Sequence, residues 1–139
     1  MNYITSNFGK AIVHFGLEKE ESEYSVKTYL NNLAMKNLFT IDGYNKAVRK
    51  MLNIKSKAPI YFSDCLLIVP IDGLKKDKGI YLNYFNILSI YKKGIKTEII
   101  FNNLDSLVIN KPYKTVIQAM KKSENVINYI NLVKNITLS

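Results

Sequence analysis

The feature that most restricts the fold of this chain is a change of hydrophobic period just before Pro112. From Tyr61 to Ile109 apolar residues come in short runs broken by turn-forming residues, whereas from Pro112 to about Asn135 they recur at helical spacing. The short runs are Tyr61–Phe62, Leu66–Val69, Ile80–Tyr84, Ile87–Tyr91, Thr97–Phe101 and Leu107–Ile109, with turn signals at Asp72-Gly73, Lys92-Lys93-Gly94 and Asn102-Asn103. Runs spaced by about ten residues predict an antiparallel meander. The later stripe of Tyr113, Val116, Ile117, Met120, Ile127, Ile130 and Val133 predicts a helix, with Pro112 suited to its first turn. A stripe that apolar must be covered, so this helix is expected to pack on the sheet.

Upstream of Pro59 the pattern is mixed. Lys10–Phe15 reads as a strand closed by Gly16, and the acidic cluster Glu18 to Glu23 as a solvated turn. Tyr24–Leu30 alternates apolar or aromatic residues with polar ones, which predicts a second strand. Leu33–Phe39 fits either period, and Asp42-Gly43 is a turn signal. Between Gly43 and Lys57, Tyr44, Ala47, Val48, Met51 and Leu52 fall at helical spacing, with Asp42 a candidate N-cap. The expected class is therefore α+β: an antiparallel β meander covered by a C-terminal α-helix, with a short basic helix or loop near residues 43–57. No linker or internal repeat divides residues 1–139, which predicts one domain.

Chemistry is scarce in this sequence. His14 is the only histidine and lies in an apolar strand, where a hydrogen-bonded structural role is the ordinary one. Cys65 is the only cysteine, so no internal disulfide is available; it precedes Leu66-Leu67-Ile68-Val69 and is expected to be a buried small hydrophobe. Metal ligands, phosphate-binding glycine loops and carboxylate pairs have no candidate pattern. The sequence thus predicts neither an enzyme nor a protein with a cofactor or small-molecule substrate. Met1 to Lys10 lacks a signal pattern and no run is long enough to span a bilayer, which predicts a cytoplasmic location.

Charge points to a partner. The formal net charge is +9, but Lys10 and Lys19 against Glu18, Glu20, Glu21 and Glu23 leave residues 1–25 at −2, so the remainder carries +11. A field of that sign attracts polyanions such as nucleic acid or an anionic membrane surface. Its richest stretch holds Asn45, Lys46, Arg49, Lys50, Lys55 and Lys57, with no acid between Asp42 and Asp64. On a helix Lys46, Arg49 and Lys50 would share one outer face, which is also how a merely solvated helix looks. Lys75, Lys76 and Lys78 form a second candidate patch, and Lys92, Lys93 and Lys96 a third. Tyr81, Tyr84 and Tyr91 could stack on bases, although aromatic residues in strands more often fill the core.

Several short motifs, taken in order, are similar to the ComK family of competence transcription factors. They are the Ala11–Phe15 strand, the expected Tyr24–Leu30 strand, Gly43-Tyr44 followed by Arg49, Lys57-Ala58-Pro59-Ile60, the apolar run ending at Pro70, Gly79-Ile80-Tyr81-Leu82, Thr97–Asn102 and Gln118. The resemblance covers about residues 10–133. It lacks the family's cysteines, its Asn-Gly turn, which is Asn102-Asn103-Leu104 here, and its terminal extensions. The resemblance implies a transcription regulator that binds A·T-rich duplex DNA through the minor groove, as a homo-dimer or larger homo-oligomer. A shortened relative could instead act by pairing with an intact homologue. A meander with a C-terminal helix also describes pleckstrin-homology-like modules, which bind anionic lipid or a protein partner.

Overall fold

The computed structural model describes residues 1–71 and 79–138 and arranges antiparallel strands in two sheets with three helices among them. Strands β1 (Tyr3–Asn7), β2 (Lys10–His14), β3 (Lys19–Glu21), β4 (Ile60–Ser63), β5 (Leu66–Pro70) and β6 (Ile80–Asn83) form a six-stranded sheet in the order β3-β2-β1-β6-β5-β4. Strands β7 (Ile87–Lys93), β8 (Lys96–Phe101) and β9 (Ser106–Ile109) form a three-stranded sheet in chain order. The helices are α1 (Val26–Lys36), α2 (Ile41–Leu52) and α3 (Tyr113–Leu138). The α+β class and the C-terminal helix packed on the sheets match the sequence reading, with the antiparallel strands shared between two sheets.

The division follows from β5, which has no polar face. Leu67 and Val69 join Leu82, Ile99, Phe101, Val116 and Met120 in one core. Ile68, one residue out of step, joins Ile4, Val13, Leu30 and Tyr81 in the other. A strand buried on both faces reads as an unbroken apolar run, because each face needs its own cover. Helix α1 covers one face of the six-stranded sheet; α3 and the second sheet cover the opposite face.

Residues 24–30, expected to be a strand, belong instead to the start of α1. Val26, Leu30 and Ala34 are its buried residues, and a spacing of four satisfies both an alternating and a helical pattern. Ser25 settles the choice: its hydroxyl accepts the Thr28 N–H at 3.2 Å and caps the helix. The acidic stretch expected to be only a turn contains the short edge strand β3, all of it exposed. Its carboxylates discourage another strand from adding to that edge. Strand β1 was not foreseen.

Cys65 is also a correction, since it is exposed on the turn between β4 and β5 rather than buried. Its backbone carbonyl, not its thiol, is tied down, accepting from Asn83 Nδ2 at 3.3 Å. His14 has the structural setting expected: its Nε2 is 2.9 Å from Thr5 Oγ1, and its ring stacks on Tyr3 with centroids 4.1 Å apart. Burial and the nearby Lys19 lower its pKa, burial being the larger cause. On α3, Val116, Met120, Ser123 and Val126 are buried, whereas Ile117 is half-buried and Val133 is exposed. Ser123 does not interrupt the apolar stripe, because its hydroxyl donates to the Ala119 carbonyl one turn back at 3.0 Å.

Candidate nucleic-acid interface

The interface is built around α2 and the loop that follows it. Thr40, not Asp42, is the N-cap; its Oγ1 accepts the Gly43 N–H at 3.1 Å. Asp42 and Gly43, expected to form a turn, lie in the first turn of α2, where a carboxylate complements the positive end of the helix. Asn53 ends the helix in the left-handed conformation, φ 57°, with its N–H donating to the Arg49 carbonyl at 3.0 Å.

Tyr44 then fixes the loop. Its hydroxyl donates to the Pro59 carbonyl at 2.6 Å and accepts the Tyr61 N–H at 3.2 Å. Burial pushes this phenol up to about 12, with the Tyr61 hydrogen bond acting in the opposite direction, so it stays protonated and able to donate. Because β4 is the sheet's outer strand, Tyr44 also occupies an edge N–H that would otherwise face water. Two further bonds hold the loop: Arg49 Nη2 donates to the Lys55 carbonyl at 3.3 Å, and Lys122 Nζ to the Ser56 carbonyl at 3.0 Å.

These contacts shape two neighbouring clefts. One, of about 380 Å³, is walled by Asp42, Asn45, Lys46, Arg49, Ile54, Lys55, Ser56, Lys57 and Ala58. The other, of about 340 Å³, is walled by Lys57, Pro70, Ile71, Thr115, Gln118, Ala119, Lys121 and Lys122. Lys57 lines both, held at φ 50° between them. Lys46, Arg49, Lys55, Lys57, Lys121 and Lys122 therefore border one concave surface on which, among the described residues, Asp42 is the only carboxylate.

Of the residues expected to bind DNA, Asn45, Lys46, Arg49, Lys55 and Lys57 come together here. The Asn45 Oδ1 is buried and has no hydrogen-bond partner among the described residues. Lys50 is exposed but borders neither cleft. Lys75, Lys76 and Lys78 lie outside the described residues. Lys92, Lys93 and Lys96 are on the β7–β8 hairpin of the second sheet and line neither cleft; Lys93 is 3.7 Å from Glu98. Tyr81 is fully buried, Tyr84 half-buried and Tyr91 exposed.

Lys121 and Lys122 were missed by sequence reasoning. They belong to a helix more than fifty positions away, and only the lysine doublet one turn after Gln118 hinted at them. Among the described residues no group of histidine, cysteine and carboxylate side chains could hold a metal ion, and no helix is long and apolar enough to cross a membrane. No family model, no curated protein and no solved structure matches this chain.

Proposed function

We propose that this chain is a non-enzymatic DNA-binding protein that lays its double cleft along the phosphate backbone of a duplex. The observation that carries the reading is Lys57, which lines both clefts and joins the cations of α2 and α3 into one surface. Phosphate contacts supply most of the affinity of such proteins and position them on the duplex. A concave strip of lysines held by loop and helix contacts suits that task better than a flat solvated helix. Arg49 is the residue for a narrow A·T-rich minor groove, because its planar guanidinium is more weakly hydrated than an ammonium. The ComK-like motifs converge on the same elements: Gly43, Tyr44 and Arg49 lie on α2, Lys57 to Ile60 form the loop entering β4, and Gln118 lines the second cleft. They extend the proposal to a cytoplasmic transcription regulator acting as a homo-oligomer.

The test is a titration of labelled A·T-rich and G·C-rich duplexes by fluorescence anisotropy at several salt concentrations. Each neutralised phosphate contributes about −0.9 to the slope of log affinity against log salt. Replacing Lys57, Lys121 and Lys122 together by glutamine should make the slope shallower by roughly 3 on both duplexes. No measurable binding at low salt, or an unchanged slope in the triple variant, overturns the proposal.

A further inference from the structure

Position 8 is the wrong residue for its turn. The β1–β2 hairpin closes with Asn7 opposite Lys10, leaving a two-residue turn of Phe8 and Gly9 with φ 50° and 75°. Two positive φ values in a row are normally met by Asn-Gly or Asp-Gly. A bulky residue in the left-handed region is strained. Phe8 receives no packing in return, because it is 96% exposed. Leu38 and Leu104 also combine a positive φ with exposure, so strain alone marks no site; Phe8 differs in being an aromatic ring at the tip of a hairpin.

The register places this tip. Thr5 pairs with Ile80, Pro70 with Tyr81, and Ile60 with Ile68, so the Phe8 tip, the end of β5 and the start of β4 share one end of the sheet. Lys57 lies at that end too, just before β4. Three strand spacings of about 4.8 Å separate β1 from β4, and Phe8 lies about three residues beyond the level of Lys57, putting the tip roughly 18 Å from the basic clefts. That is about five base-pair steps at 3.4 Å each. Glu21 and Glu23 lie on the other side of β2, so a polyanion's footprint runs from Phe8 toward Lys57. The exposed Leu17 and Leu104 are at the opposite end, beside Asp105.

We propose that Phe8 is a wedge that inserts between two base pairs of the duplex held by the basic clefts, an inference that rests on the DNA-binding reading. Apolar side chains presented on tips are the usual means of prising open a base step from the minor groove, at the cost of unstacking that step. Flexible pyrimidine–purine steps lower that cost, so the wedge directs the protein to TA steps about five base pairs from the lysine contacts.

The experiment uses the whole chain and a duplex carrying 2-aminopurine at a central TA step, with anisotropy measured in parallel. Binding of the parent protein should raise the 2-aminopurine fluorescence. Phe8→Asn removes the ring yet suits the turn better, so it should melt no lower than the parent. It should nevertheless lose the fluorescence rise and between about 5-fold and 100-fold in affinity, the range for removing one stacking aromatic. Its salt slope should not change, because no phosphate contact is removed. Phe8→Trp should restore both the rise and the affinity. Unchanged affinity and an undiminished fluorescence rise in Phe8→Asn overturn the wedge while leaving DNA binding intact. Failure of the parent to bind any duplex overturns both readings.

Discussion

Tyr44→Phe removes one oxygen and separates the loop's anchoring from its charge. The hydroxyl serves two backbone groups, the Pro59 carbonyl at 2.6 Å and the Tyr61 N–H at 3.2 Å. A buried polar group left without its partner costs about 1–3 kcal/mol. Pro59 is buried and bears that cost in full, whereas the Tyr61 N–H, on the outer strand, can recover part of it from water. The sum is about 2 kcal/mol. For a chain of 139 residues, with an unfolding entropy of about 2.1 cal/mol/K per residue, this lowers the melting temperature by about 7 °C. The ring still packs, so circular dichroism of the folded variant should match the parent. Duplex affinity should fall, because Lys55 and Lys57 lose their fixed loop, while the salt slope keeps its value with every cation present. A melting temperature indistinguishable from the parent's would show that the hydroxyl does not hold these groups, and the account of the loop would be wrong.

Lys57→Gly relieves a left-handed backbone and deletes a cation at once. The variant should melt no lower than the parent yet show a salt slope shallower by about 0.9; a lower melting point with full affinity contradicts both roles. His14 has a pKa lowered chiefly by burial and then by Lys19. The folded protein therefore binds fewer protons there than the unfolded chain, and stability is lost as pH falls below the ordinary value of about 6.5. Melting temperatures at about pH 7.5 and about pH 5.5 should differ less in His14→Gln than in the parent; an equal difference removes His14 from the pH response.

How far the sequence could be read follows from how local each signal is. The strands from Leu66 to Ile109 and the helix after Pro112 carry long, clean periods, and the structure keeps them nearly in place. Residues 24–30 failed because Val26 and Leu30 fit two periods, and the Ser25 cap that resolves them outweighs alternation. Ile117, expected within the helix's buried stripe, is half-buried and borders a surface groove, because the second sheet leaves that flank open. The site was half legible. Its α2 and loop residues are neighbours in sequence, but Lys121 and Lys122 reach it through a tertiary contact, Lys122 Nζ to the Ser56 carbonyl. Phe8 was missed for a different reason: its exposure and positive φ are properties of the hairpin, and β1 itself had not been recognised.

The most direct test of the central claim is a backbone amide NMR titration of the chain with a short A·T-rich duplex at low salt. The account predicts shifts concentrated on residues 45–58 and 115–122 and at the Phe8–Gly9 tip. Amides beside Glu18, Asp64 and Asp105, at the far end of the sheet, should stay still. Shifts centred instead on the Lys92–Lys96 hairpin, or none at all, would contradict it.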